Sequence, residues 1–135
     1  MNPTIIQALS IATLNGSMPF PEIVGKLIEQ GIEYYHVDYV IKRKTFYTSQ
    51  GQWQKTAITY HDLPAIAENL DKVALIAAIR DSQLNHQSYY DFSCRAMQAG
   101  VQGYIAFLRG QQVTYWGRDG SQHIEWFPGA NPNRR

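Results

Sequence analysis

The stretch GIEYYHVDYVI, residues 31–41, decides the fold class of this chain. After Gly31 the side chains alternate, so that Tyr35 and Val37 share one face. A period of two residues is typical of a β-strand. The preceding residues 19–30 place their apolar side chains at helical spacing instead. The chain therefore changes from helix to strand at Gly31, a residue suited to the left-handed end of a helix.

A further helix and two further strands flank this stretch. The helices are predicted over residues 3–15 and 20–30, and the strands over residues 32–41, 44–49 and 53–60. The third strand has a polar middle, Gln54-Lys55-Thr56, which predicts a position at the edge of a sheet. The first half of the chain is therefore predicted to be an α-α-β-β-β unit.

The second half has the same predicted order. Asp71 is suited to start a helix over residues 72–84, and the apolar first turns of this helix are predicted to be fully buried. Ser88 and Asp91 form a capping pattern for another helix, which ends at Gly100. Strands are predicted over residues 101–108, 112–116 and 122–127, and a single helical turn over residues 65–69.

A shift of 69 residues places the second half on the first without gaps. Gly31 then falls on Gly100, and Tyr35 on Tyr104. Any two units of this kind need caps and turns at similar spacing, but we favour a repeat. We expect the interface between the two units to form a cleft.

We predict one α+β domain over residues 1–128. Its two α-α-β-β-β pseudo-repeats form antiparallel meander sheets packed against helices. The pseudo-repeats span about residues 3–60 and 71–127, and a flexible tail follows over residues 129–135.

Charge and hydropathy exclude several classes of partner. Twelve basic and eleven acidic residues give a net charge of +1, so no nucleic acid is expected. The densest basic run, Lys42-Arg43-Lys44, is predicted to keep a hairpin solvated. No apolar run approaches the ~18 residues of a membrane span, so no membrane partner is expected.

The cysteine content predicts the compartment. Cys94 is the only cysteine, so no intramolecular disulfide forms. The N-terminus lacks the basic and apolar segments of a secretory signal. We therefore expect a soluble, cytoplasmic protein in a reducing environment.

Four motifs connect the sequence to known proteins. They are FPEIV at residues 20–24, GIEYYHVDY at 31–39, KTFY at 44–47 and YWGR at 115–118. In these motifs the chain resembles a bacterial and prophage family of unknown function, represented by the YbcV- and YdfO-like proteins and often labelled "phage envelope protein". The resemblance implies a small α+β domain, and it implies no established activity, cofactor or catalytic residue. The lack of a membrane segment or fibrous repeat argues against an envelope role.

Two pairs of histidine and carboxylate residues are candidates for chemistry. His36 and Asp38 share one face of a strand, and so do His123 and Glu125 on the last strand. If these strands converge, the four side chains are suited to bind a divalent metal or to serve as catalytic acid and base. The alternative, which we favour, is that each pair faces solvent or makes a structural hydrogen bond. We therefore expect no metal and no cofactor.

Arg80 is a candidate for ligand binding, because it lies on an otherwise apolar helix. A buried charge needs a partner, and Asp81, Asp91 or Glu125 is expected to pair with Arg80. The alternative is that Arg80 binds an anionic ligand. Gln83 follows by about one helical turn and shares this face.

A glycine-flanked loop and several aromatic residues complete the candidates. Arg118 lies in the loop between Gly117 and Gly120, where it is suited to bind a phosphate or carboxylate, although a solvated turn is the simpler interpretation. Among the many strand aromatics, Tyr35, Tyr47 and Tyr115 are candidates to line a ligand site.

Three functions remain open. We rank first a non-catalytic module that binds a small molecule or a protein, because aromatic residues are abundant and no catalytic signature is present. Second is a hydrolase-type enzyme that uses the histidines and carboxylates, with or without a metal. Third is a structural or assembly protein, and the edge strands are suited to pair in a homodimer.

Overall fold

The computed structural model describes residues 1–131. The helices are α1 (Pro3–Asn15), α2 (Phe20–Glu29), α3 (Lys72–Leu84) and α4 (Tyr89–Gln98), and the strands are β1 (Ile32–Asp38), β2 (Arg43–Thr48), β3 (Trp53–Ala57), β4 (Val101–Phe107), β5 (Gln112–Gly117) and β6 (Gln122–Trp126). The predicted α+β class and the repeated α-α-β-β-β order are confirmed.

The two units share their backbone design in detail. Adding 69 to each boundary of the first five elements gives the boundaries of the last five. The strand register follows the same rule, since Tyr35 faces Phe46 and Tyr104 faces Tyr115. A register shift follows Ile32 in β1, and its counterpart occupies the same place in β4.

All six strands form one antiparallel sheet in the order β3-β2-β1-β4-β5-β6. The units meet where β1 pairs with β4, and His36 faces Ile105 at the centre of this pairing. The units are therefore related by an approximate two-fold axis between these two residues, perpendicular to the sheet. The prediction of a cleft at the interface between the units is wrong, because β1 and β4 pair continuously at this boundary inside the sheet.

Local capping explains where the helices begin. The Asn2 side chain accepts hydrogen bonds from the backbone of α1, with Pro3 at the first helical position. Asp71 accepts from the backbone N–H of Ala74, and Ser88 from that of Asp91, at 3.0 Å each. The predicted starts of these helices are therefore confirmed.

The helices cover one face of the sheet and form the core there. Its buried residues include Ile6, Leu27, Leu75 and Ala96 from the helices, and Val37, Val101, Tyr104 and Tyr115 from the strands. The prediction that the first turns of α3 are fully buried is wrong, because Val73 is 81 % exposed and Ala74 and Ala77 are exposed as well. Only Leu75, Ala78 and Ile79 of α3 are buried, so this helix has one packed side.

The connector between the units is irregular and follows the helix layer. Residues 65–69 form no helical turn, because their hydrogen bonds go elsewhere: the backbone N–H of Ala67 donates to the Met97 carbonyl at 3.0 Å. Gly100 has a φ of +93°, and a Cβ there would collide with the Asn69 carbonyl. The close contact between Gly100 and the Asn69 carbonyl holds the connector against the end of α4.

Two features of the ends and helices complete the description. The tail predicted over residues 129–135 lies partly outside the described residues, which end at residue 131. Within residues 1–131, none of the helices combines the length and the apolar character that crossing a membrane requires.

Candidate functional site

The four histidine and carboxylate candidates lie on opposite faces of the sheet. His36 is in register with Ile105, Thr114 and Ile124 on successive strands. His123 is instead in register with the buried Tyr115 on the helix side. Because neighbouring residues on a strand alternate between faces, the expected convergence of the four side chains is wrong. Within residues 1–131, no group of three or more His, Cys, Asp or Glu is placed to hold a metal ion.

Five of the candidates do come together where α3 lies over β6, and we call them the α3–β6 cluster. Arg80 Nη1 donates to Glu125 Oε2 at 2.7 Å and to Gln83 Oε1 at 3.2 Å. His123 Nε2 lies 3.1 Å from Glu125 Oε1. The Tyr115 ring is nearly parallel to the His123 ring at 6.4 Å. The predicted pairing of Arg80 with Glu125 is confirmed.

The α3–β6 cluster ties α3 to the edge of the sheet. Both oxygens of Glu125 are engaged, and its side chain is only 15 % exposed. The equivalent positions of the first unit carry Ile11 for Arg80 and Thr56 for Glu125, so the fold forms there without charges. A histidine held by a carboxylate is suited to acid–base chemistry, but His123 has no nucleophile beside it in the cluster. The contacts of the α3–β6 cluster are those of a structural ion pair.

The opposite face of the sheet has no helix over it, and we call it the outer face. Its side chains form three rows that cross all six strands. The aromatic row is Trp53, Tyr47, Tyr34, Phe107, Gln112 and Trp126; the middle row is Lys55, Thr45, His36, Ile105, Thr114 and Ile124; the third row is Ala57, Arg43, Asp38, Gly103, Trp116 and Gln122. Five of the six residues in the aromatic row are aromatic.

Three neighbouring rings in the centre of the aromatic row contact one another. The rings of Tyr34 and Tyr47 stack with centroids 4.8 Å apart, and Phe107 lies 6.0 Å from Tyr34 on the other side. Trp53 is 60 % exposed at one end, and Ile124 in the adjacent row is 48 % exposed near the other. Exposed aromatic and aliphatic side chains that lie together on one face are typical of a binding surface.

The third row is held by a polar network. Trp116 Nε1 donates to Gln102 Oε1 at 2.5 Å, and Gln102 Nε2 donates to Asp38 Oδ1 at 3.1 Å. Asp38 also accepts from the backbone N–H of Val40, so its carboxylate fixes the hairpin after β1. His36 packs 5.2 Å from the Trp116 ring, and its Nε2 is buried with no hydrogen-bond partner among residues 1–131. These residues shape the outer face.

Sequence reasoning missed the most unusual buried group, Lys44. It is 2 % exposed, and its Nζ lies 4.1 Å from the centre of the Tyr89 ring. No ion pair involves Lys44 in the described part of the chain. Burial lowers the pKa of Lys44 to about 7. The prediction that the basic run stays solvated is therefore wrong for Lys44, and its register with the buried Val37 is the reason.

Hydrogen-bonded tyrosines lie on the side of Lys44 where Tyr89 covers it. Tyr89 and Tyr104 share a hydrogen bond of 2.6 Å between their hydroxyls, and Tyr39 donates to Ser93 at 3.0 Å. Burial raises the pKa of Tyr39 to about 12, and it also raises the pKa values of the Tyr89 and Tyr104 hydroxyls. A cavity of about 10 Å³ beside Lys44 has room for about one water molecule, which is too small for a ligand.

The other ligand candidates are dispersed. Tyr35 is buried in the core, whereas Tyr47 belongs to the aromatic row. Arg118 is exposed and donates to the Ile66 carbonyl at 3.5 Å, far from the other candidates in the register of the sheet. No single site collects these three residues.

The comparison with known proteins assigns a family. Residues 5–125 match the family described as "Protein of unknown function (DUF1398)". The chain belongs to this family. Uncharacterized proteins from Mycobacterium bovis and Mycobacterium tuberculosis are each 24 % identical over 114 residues, covering 84 % of this chain and 70 % of theirs. The expectation of a family of unknown function is confirmed.

Proposed function

We propose that this chain is a non-catalytic binding module that binds a protein through its outer face. The observation that carries the proposal is the aromatic row, which crosses every strand of a face without a helix. Aromatic side chains are enriched in the centres of protein interfaces, and charged ones are depleted there. Lys55 and Arg43 lie toward the β3 side of the outer face, and the carboxylate of Asp38 in the third row is bound by Gln102, which leaves the aromatic row itself without a charge.

The shape of the surface favours a protein over a small molecule. Small-molecule sites are concave and bury most of their ligand. The outer face is one side of an open sheet, and the cavity beside Lys44 holds only about 10 Å³. A larger groove of about 490 Å³ between α1 and Gln54 is shallow and open to solvent. A partner with a flat apolar face matches this geometry better than a compact ligand.

The two alternative functions have weaker support. A hydrolase would need the histidines and carboxylates together, but His36 and His123 lie on opposite faces. A structural role would also use the outer face, so it differs from our proposal only in the size of the assembly. We further propose that binding occurs in a bacterial cytoplasm, and the relation to YbcV-like prophage proteins stays a prediction.

Site-specific photo-crosslinking in bacterial cells tests this proposal. The crosslinking amino acid p-benzoylphenylalanine replaces Trp53 or Trp126 on the aromatic row. Phe20 on α2 is the matched control, since its exposed fraction of 50 % is close to the 60 % of Trp53. Both variants of the aromatic row should yield a discrete adduct of higher mass, and the Phe20 variant should not.

The opposite result is equally clear. If Trp53 and Trp126 give no adduct, or give the same smear as Phe20, the outer face is not a binding surface. When Trp53 or Trp126 does yield an adduct, mass spectrometry of that adduct identifies the partner. The next inference proposes which partner it is.

A further inference from the structure

We propose that the partner on the outer face is a second copy of this chain, so that two sheets pack face to face with their helices outside. This inference rests on the proposed function. Each chain covers one face of its sheet with four helices and leaves the other open. A second copy would cover the open face and complete a four-layer arrangement of helix, sheet, sheet and helix.

The area of the outer face is sufficient for a stable dimer. Strands lie about 4.8 Å apart and alternate residues about 7 Å apart, so six strands and three rows span roughly 600 Å² in projection. A standard interface buries about 800 Å² per partner, which is of the same order as this projected area.

The symmetry of the sheet fits a two-fold partner. A dimer axis parallel to the strands places β3 of one copy over β6 of the other. Trp53 then lies near Trp126 of the second copy, at both ends of the aromatic row. Because the two units of each chain share one backbone design, every strand of the outer face meets a strand of the same geometry.

The charges of the outer face select this axis. With the axis parallel to the strands, Lys55 on β3 lies over Ile124 of the second copy, and Arg43 lies over the ring of Trp116. With the axis perpendicular to the strands, Lys55 would lie over Lys55 of the second copy, and like charges repel. The net charge of +1 per chain adds little repulsion between whole molecules.

Sedimentation equilibrium of the purified chain tests the dimer. The wild type should have twice the monomer mass of 15.4 kDa at micromolar concentration. Ile124→Lys should raise the dissociation constant about tenfold or more, because it places two lysines together. Ile124→Glu should have a smaller effect, because the new carboxylate would face Lys55. Val73→Lys on α3 is the matched control, since Val73 is 81 % exposed on the helix layer.

Disulfide crosslinking tests the orientation in a Cys94→Ser background. The double variant Lys55→Cys with Ile124→Cys should form covalent dimers on oxidation. Lys55→Cys alone should not, although it would if the axis were perpendicular to the strands. Circular dichroism of each variant confirms that the chain is folded before its mass is interpreted.

Each outcome separates the two proposals. The face-to-face dimer is overturned if the chain is monomeric at every concentration. It is also overturned if Ile124→Lys leaves the dimer intact, a result that would indicate pairing of edge strands. If the chain is monomeric but Trp53 crosslinks to another protein in cells, the proposed function stands and the dimer fails. If the aromatic row crosslinks to nothing, both fail.

Discussion

Lys44 Nζ lies 4.1 Å above the centre of the Tyr89 ring, inside a core that offers it no carboxylate among residues 1–131. The fold does not require a lysine at this position, because the equivalent residue of the second unit is Val113. A buried lysine that could have been valine costs stability, and this cost depends on pH.

The first prediction concerns stability against pH. Burial lowers the pKa of Lys44 from 10.5 to about 7, so the folded state binds fewer protons than the unfolded state between these values. The free energy of unfolding should therefore rise from pH 7 toward pH 10, by at most about 1.4 kcal/mol per pH unit. Above pH 10 it should fall, because burial raises the pKa of Tyr39 to about 12 while unfolded tyrosines ionise. Urea unfolding at a series of pH values measures this profile, and a flat curve from pH 7 to 10 would contradict it.

The second prediction is that Lys44→Met stabilises the chain. Methionine fills a similar volume without a charge, so the gain should be several kcal/mol, about 2–4, at pH 6. The gain should shrink as the pH approaches 10, where wild-type Lys44 is neutral. Lys26→Met on α2 is the control for removing a lysine. Lower stability of Lys44→Met at pH 6 would show that the buried amine has a partner that outweighs its burial.

The third prediction concerns the α3–β6 cluster. Arg80 is 46 % exposed, so its coupling to Glu125 should be about 0.5–1 kcal/mol and should weaken in high salt. Arg80→Ile and Glu125→Thr restore the residues of the first unit, and the double variant should be more stable than the sum of the single changes predicts. A double-mutant cycle by urea unfolding measures the coupling. Strict additivity would mean that the ion pair contributes nothing.

The fourth prediction compares two glycines. A Cβ at Gly103 would lie 2.5 Å from the Val37 carbonyl and 2.9 Å from the Trp116 ring. Gly103→Ala should therefore lower the free energy of unfolding by about 1–3 kcal/mol. Gly25→Ala on α2 meets no atom within 4 Å and should raise it by roughly 0.5–1 kcal/mol. Thermal unfolding of both variants shows whether each substitution lowers or raises the stability. Equal changes in melting temperature for the two variants would contradict the tight contact at Gly103.

Local signals made much of the fold predictable. Asn2, Asp71 and Ser88 accept hydrogen bonds from the first turns that follow them, so the sequence near each helix determines where it begins. The strand alternation around Tyr35 also depends only on neighbours in the chain. These elements were predicted within a few residues.

The site depends on pairing between distant segments, which the sequence does not display. Whether His123 shares a face with His36 depends on the registers of three successive strand pairs, β1 with β4, β4 with β5 and β5 with β6. The burial of Lys44 depends on α4, which brings Tyr89 over it. The sequence did predict that Arg80 pairs with a carboxylate, because a charge on an apolar helix needs a partner, and Glu125 was one of the three candidates.

The most direct test of the central claim is hydroxyl-radical footprinting of Trp53 and Phe20. Their exposed fractions are similar, 60 % and 50 %, but they lie on opposite sides of the molecule. In cells that contain the chain at its working concentration, Trp53 should be oxidised much less than in the dilute purified protein, whereas Phe20 should react equally in both. Equal oxidation of Trp53 in both settings would show that nothing binds the outer face.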